Sequence, residues 1–414
     1  MLRNVYDSDK NPDGIINMGI ANNSLMESEL LEFFAKHLRL DRTDLTYGTS
    51  LYGSTRLFAA LERHFNRPVF SPVLPVTHEH IITGPGCGAL LDQLFEHLAD
   101  PGQSVLVAAP YYNGFDADLA TRSAVRCVAV YSDRGDGTEE ASFRGVSALR
   151  GFEEAVVGAS ASAFLVCNPH NPVGRCYDRE ALLEYGRFAQ RHNLHLVFDE
   201  IYSLSTFATS DDRDPTSFIS ALAIDWRREA DCDPARVHIL TSASKDFGLN
   251  GLRLGVFISQ HNEQLRAALK FTAKLYMVSS PADALWSALL NDDHVYHEFV
   301  ATNQQRLTQA YETVKAWCIR QGIQYTPSNA GHFVMLHLRR FYRDREHGDV
   351  QTAETELWQR CLERGVCITP GSNYHHPTPG VFRLTFSMPQ DVLLLGLSRL
   401  EAALQLQLGE GRVK

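Results

Sequence analysis

The chain has 414 residues, 44% of them hydrophobic and 21% charged, with a formal net charge of −10. That length is enough for one large domain and a smaller one, each with its own core, and the composition is that of an ordinary soluble globular protein. The acidic balance, with no lysine- or arginine-rich block, argues against nucleic-acid binding, and no apolar run approaches the roughly 18 residues needed to span a membrane.

Eight cysteines are scattered without a C-x-x-C pair, which argues against a disulfide framework or a zinc site and for a reducing, cytoplasmic setting. The N-terminus lacks the apolar core of a signal peptide. Among seventeen histidines, H-x-H at 78–80 and the pair His375-His376 lack a matching ligand set, so no metal is expected.

In chain order, an arm leads to a helical pattern over 28–40, and the glycine-punctuated loop T-Y-G-T-S-L-Y-G enters a helix over 57–65. Strand-like runs then alternate with helical ones. A strand over 80–83 passes through G-P-G-C-G into a helix over 89–98; a second over 104–108 ends in A-P-Y-Y-N-G-F. A third over 163–167 ends in N-P-H-N-P-V-G, and a fourth over 194–198 ends in D-E-I-Y. An acidic, proline-containing segment at 208–235 reads as an exposed loop and helix, and a fifth strand follows at 237–240. Such alternation predicts right-handed crossovers and a mostly parallel sheet, with ligands bound beyond the carboxyl ends of the strands. From about residue 285, long helices over 284–321 and 350–364 surround short strands at 332–338 and 381–386, which reads as a smaller α+β domain.

The run T-S-A-S-K-D-F-G-L-N-G-L-R-L-G after the fifth strand carries the chemistry. Lys245 lies among Ser242 and Ser244, with Arg253 eight residues on in a glycine-rich stretch. Lysine condenses with carbonyls to Schiff bases, and hydroxyls with a guanidinium make a phosphate cradle. A cofactor that is both an aldehyde and a phosphate ester, pyridoxal phosphate (PLP), would use all of these groups.

Asp199, at the end of a buried strand, needs a cationic partner, and a protonated pyridine nitrogen would be one; a helix N-cap is the other reading. Tyr202 could turn its hydroxyl to the cofactor or simply pack. Asn171, between two prolines, could donate its amide to a ring oxygen, with a structural double turn as the alternative. Tyr112 could stack on a flat ring. The free N–H groups of G-P-G-C-G suit a phosphate. A dinucleotide site competes, but G-x-G-x-x-G and its acidic partner are missing. Arg383, in G-V-F-R-L-T-F, would pair with a carboxylate, either of the substrate or internal.

Together these motifs resemble the fold-type-I PLP enzymes, in particular the class I/II aminotransferases, and within them the 1-aminocyclopropane-1-carboxylate (ACC) synthase-like branch. The resemblance runs from Asn17 to Ser387. It implies an aspartate-aminotransferase-like α/β fold, with a large PLP domain at 46–284 and a smaller α+β domain made from the arm and helix of 1–45 and from 285–414. By that resemblance Lys245 holds PLP and moves the Cα proton. Asp199 pairs with the pyridine nitrogen, Tyr202 and Asn171 bond the phenolic oxygen, and Tyr112 stacks on the ring. Ser242, Ser244, Arg253 and the backbone at Cys87 and Gly88 hold the phosphate, and Arg383 binds the substrate's α-carboxylate. Tyr52 would reach the phosphate of a neighbouring subunit, which implies a homodimer with shared sites.

The family's G-x-A-E-N is G-I-A-N-N here, placing Asn22 beside the substrate where a glutamate is usual and arguing against ACC synthesis from S-adenosylmethionine. Elimination or replacement at an amino acid, with C–S cleavage foremost, is the expected reaction. Transamination is the alternative, and a non-catalytic PLP-binding protein a remote one.

Overall fold

The computed structural model describes residues 4–131, 142–211, 215–342 and 350–410. A short strand of the arm, β1 (Ile16–Asn17), precedes a seven-stranded sheet. That sheet contains β2 (Ile81–Gly84), β3 (Ser104–Ala109), β4 (Arg126–Tyr131), β5 (Ala161–Cys167), β6 (His195–Asp199), β7 (Val237–Ser242) and β8 (Gly255–Ile258). Its order is β2-β8-β7-β6-β5-β3-β4. The pairings from β4 through β7 are all parallel, and only β8 runs against its neighbours β7 and β2.

The central strands carry runs of apolar residues, at 163–167, 196–198 and 239–240, because both faces of the sheet are covered. Successive residues alternate between the two cores: Leu196 and Phe198 join one with Leu182 and Phe188, and Val197 joins the other with Leu94 and Phe115. Full burial of each large aliphatic or aromatic side chain stabilises the fold by about 1.5–3 kcal/mol.

The C-terminal third adds β9 (Gln324–Thr326), β10 (Phe333–His337), β11 (Val366–Cys367), β12 (Thr369–Pro370) and β13 (Val381–Thr385). Four of them form an antiparallel sheet in the order β12-β13-β10-β9, while β11 pairs in parallel with β1. A separate core of Trp317, Leu357, Leu384 and Leu397 underlies this sheet. The arm thus returns to the C-terminal third, whereas Met26 and Leu30, at the start of the helix Glu27–His37, join the core of the large sheet.

Two expectations need correction. The single helix over 284–321 is two, Ser280–Asn291 and Asp293–Gln321. Asp292 is extended there, and its side chain accepts from the Val295 N–H at 3.0 Å, so it caps the second helix and ends the first. The segment 208–235 is also not an exposed appendage: Leu222, Ile224 and Trp226 insert into the large core. Residues 212–214 of that segment lie outside the described ones.

Candidate functional site

β7 delivers Lys245 into a turn, where its Nζ donates to the Ala21 carbonyl at 2.7 Å. Burial pushes the ammonium down to about 8; Arg383 acts in the same direction and Asp199 opposes. A lysine so placed is partly deprotonated near neutral pH, which suits proton transfer.

The neighbouring strands supply its surroundings. Asp199, the last residue of β6, is 5% exposed, and its Oδ1 accepts from the Ile201 N–H at 3.2 Å. Burial drives its carboxyl up to about 7, and the nearby Lys245 pulls it back. Tyr202 follows, 1% exposed, and its hydroxyl has no hydrogen-bond partner among the described residues. Asn171, beyond β5, accepts through Oδ1 from Arg383 Nη1 at 2.7 Å, which leaves its amide nitrogen to donate elsewhere.

Arg383 lies in β13 of the second sheet and is 3% exposed. Its Nη2 donates to the Gly19 carbonyl at 2.6 Å, and its guanidinium faces the rings of Phe333 and Tyr374 at 4.8 and 4.5 Å. Among the described residues its Nε is buried without a partner and no carboxylate is paired with it, which argues against an internal salt bridge as its explanation.

An anion cradle closes the other end. G-P-G-C-G turns at Gly86 (φ +96°) into the helix Cys87–Leu98. Glycine is required at Gly86 by its φ of +96°, and a Cβ there would also displace the Arg253 guanidinium; at Gly255 a Cβ would lie 2.7 Å from the Gly86 carbonyl carbon. Arg253 is held over this turn by bonds to the carbonyls of Asn250 and Pro85 at 2.9 and 3.2 Å. Ser244 stands beside it, its N–H donating to Ser242 Oγ at 3.0 Å. The Cys87 thiol donates to the Thr241 carbonyl, and burial pushes its pKa well up.

One cavity of about 220 Å³ collects Cys87, Gly88, Tyr112, Asn171, Asp199, Tyr202, Ser244, Lys245 and Arg253. Tyr112 is 38% exposed, its ring available to be covered. Ser242 and Arg383 stand directly behind that lining, as the bonds to Ser244 and Asn171 place them. Asn22 is exposed, with its Oδ1 bound to Asn250 Nδ2 at 2.8 Å. Tyr52 is not brought to the cavity of its own chain; its ring packs on Phe58 with Lys270 Nζ 4.9 Å above it.

Sequence reading passed over three groups. Asp118 lines the cavity, its carboxyl pushed up to about 6 by burial and by Asp92. Asp246 and His332 are buried behind Lys245 and Tyr202. The one signal for them was an acidic residue directly after Lys245 in a run of small and apolar residues.

The family described as Aminotransferase class I and II matches residues 13–400. Probable aminotransferase sirI of Leptosphaeria maculans is 32% identical, over 98% of this chain and 94% of its own. Probable aminotransferase gliI of Aspergillus fumigatus is 34% identical over 93% and 88%, and 1-aminocyclopropane-1-carboxylate synthase 5 of Oryza sativa is 33% identical over 95% and 74%. Among solved structures, Bna3p of Saccharomyces cerevisiae, a putative kynurenine aminotransferase, superposes with a TM-score of 0.77 at 18% identity, over 94% of this chain and 91% of that one. The aspartate aminotransferase of Thermus thermophilus with maleate gives 0.70 at 20% over 94% and 91%. The fold is therefore aspartate-aminotransferase-like.

Proposed function

Because the chain belongs to the class I and II aminotransferase family, whose cofactor is pyridoxal phosphate, we propose that the cavity at Lys245 binds this group and works at the α-carbon of an amino acid by elimination or replacement, cleavage of a C–S bond foremost. The observation that carries the reading is a buried lysine sharing one cavity with Asp199, Tyr202 and Arg253, where the buried Tyr202 hydroxyl has no partner among the described residues. Leaving such a group unpaired costs about 1–3 kcal/mol, a cost that a ligand with a matching oxygen removes.

The residues fit the cofactor. Lys245 would hold its aldehyde carbon, Asp199 its ring nitrogen, and Tyr202 and Asn171 its phenolic oxygen. Tyr112 would cover the ring. Arg253, Ser242, Ser244 and the backbone of Cys87 and Gly88 would hold its phosphate. When bound, PLP supplies an electron sink for charge developing at the α-carbon.

The chain's own groups then divide the work. Arg383 orients the amino acid by its carboxylate, between the Phe333 and Tyr374 rings. Lys245, partly neutral near pH 8, takes the proton from the α-carbon. Asp199, whose carboxyl is pushed up to about 7 by burial, would gain charge when a cation faces it and keep the ring nitrogen protonated. Asn22 offers no negative charge to a cationic substrate side chain, which favours a neutral leaving group over a sulfonium.

Relatives named for ACC, a ring closed on the α-carbon, support a reaction other than amino transfer. Relatives named probable aminotransferases support transamination as the second reading. A homodimer with shared sites, completed by Tyr52 of the neighbouring subunit, suits the exposed apolar Leu45, Tyr47, Phe271 and Leu275. Among the described residues no helix is long and apolar enough to cross a membrane, and the eight free cysteines favour a reducing, cytoplasmic setting.

A product assay on PLP-loaded protein tests the reaction. Thiol, ammonia and 2-oxo acid released from a cysteine conjugate without an acceptor would support the lyase. Product formed only with a 2-oxo acid acceptor would replace it with the aminotransferase.

A further inference from the structure

Lys245 and Asp246 are adjacent but face opposite ways, the amine toward the cavity and the carboxylate into the protein. Asp246 is 3% exposed and accepts three hydrogen bonds from one segment: Ser203 Oγ at 3.0 Å, the Leu204 N–H at 3.0 Å and Ser205 Oγ at 2.6 Å. That segment directly continues Asp199–Tyr202. The carboxylate therefore ties the turn bearing Lys245 to the loop bearing the two groups that face the cofactor ring.

The link continues to the second sheet. Ser205 Oγ lies 2.9 Å from His332 Nε2. Because the hydroxyl proton is given to Asp246, the ring nitrogen is the donor, so His332 carries its proton on Nε2. Its Nδ1 is buried without a partner among the described residues. Burial, with Lys245 and Arg383 nearby, holds the imidazole well below its ordinary pKa, consistent with this neutral form. The ring meets Tyr202 edge-on at 5.2 Å, and the next residue, Phe333, packs on the Arg383 guanidinium. Two backbone bonds reinforce the join, from the Gly331 N–H to the Ser205 carbonyl at 2.9 Å and from the Phe207 N–H to the Asn329 carbonyl at 2.9 Å.

We propose that Asp246 is a positioning residue: through Ser203, Ser205 and His332 it fixes Lys245 relative to Asp199, Tyr202 and the Arg383 strand. A buried carboxylate is costly, and an apolar residue would fill the same space more cheaply. Its place beside the lysine, with its donors from the segment that continues Asp199–Tyr202 and with Ser205 in turn bonded to His332, gives it a role that an apolar residue could not fill. A lysine side chain has four rotatable bonds, so the placement of its backbone decides where Nζ reaches, and an error of about 1 Å can cost about a hundredfold in rate.

This inference rests on the PLP reading, and the experiment keeps the two apart. Asp246→Asn and Ser205→Ala are purified with PLP. For each, cofactor content, the pH midpoint of the bound cofactor's visible absorption, kcat, KM and Tm are compared with the unaltered protein. The charged groups that act on the Lys245 amine, Arg383, Asp199 and Arg253, are unchanged in both variants. The expected result is full cofactor content, KM within about twofold, a displaced midpoint, and kcat lowered at least about tenfold in Asp246→Asn and less in Ser205→Ala. A lower Tm with kcat and midpoint unchanged would make Asp246 a scaffold residue and overturn the proposal. If Asp246→Asn does not fold, Ser205→Ala, which keeps the carboxylate and two of its donors, is judged by the same criteria. Unaltered protein that takes up no PLP would instead overturn the cofactor reading itself.

Discussion

Arg383 of β13 places Nη1 2.7 Å from Oδ1 of Asn171, so the second sheet is joined to the loop beyond β5 at the cavity. This single bond sets the orientation of two groups. It turns the asparagine amide outward to donate, and with the Nη2 bond to the Gly19 carbonyl it fixes the Arg383 guanidinium.

Arg383→Ala is predicted to raise KM for the amino acid by about ten- to hundredfold, the loss expected for a charge-assisted bond, with PLP content preserved. Kinetics and cofactor absorbance on the same preparation decide it. An equal fall in PLP content would assign Arg383 to the scaffold.

Gly86→Ala is predicted to weaken PLP binding about tenfold or more. The new Cβ would meet Arg253 Nη2 at 2.3 Å and would require φ near +96° from a residue with a side chain. A dissociation constant from fluorescence titration checks this, and unchanged affinity would place the phosphate elsewhere.

Three neighbouring carboxyls shape the pH response of the cofactor-free protein. Burial pushes Asp199 and Asp246 up to about 7 and Glu200 up to about 8. Between the unfolded values of about 4 and these native ones, the folded chain holds protons that the unfolded chain has lost. Their stabilisation is complete below about pH 4 and is lost as the pH rises through about 7 to 8. These carboxyls should therefore make the Tm of the cofactor-free protein fall more steeply, or rise less, from about pH 5.5 to about pH 8 than in Asp199→Asn. The buried neutral His64 and His332 act in the opposite sense. Adding PLP to the unaltered protein should shift the slope the same way as Asp199→Asn. An Asp199→Asn slope equal to the original would contradict it.

Tyr52 does not line the cavity of its own chain, so a direct contact of its hydroxyl with PLP would come from a neighbouring subunit. Tyr52→Phe should lower PLP affinity. Mixing it with Lys245→Ala should restore activity, because hybrid dimers would contain one site with both residues intact. A mixture no more active than its parents would argue against shared sites.

Much of the site was legible because its residues stand where a strand ends and a polar side chain has no local reason to be. Lys245, Asp199, Asn171 and the G-P-G-C-G turn are of this kind, and their cavity gathers them from β7, β6, β5 and β2. Asp246 and His332 gave almost no signal, since their partners lie 41 to 127 positions away and only the folded chain brings them together. The break at Asp292 was hidden because apolar spacing continues across it, and the helix Gln390–Glu410 lies beyond the last motif.

The account turns on Lys245. Borohydride reduction of the PLP-loaded protein, followed by peptide mass mapping, would fix the cofactor to whichever lysine holds it. The structure predicts a single phosphopyridoxyl group on the peptide containing Lys245. A label on Lys270 or Lys274 instead, or no label on a protein that retains PLP, would contradict it.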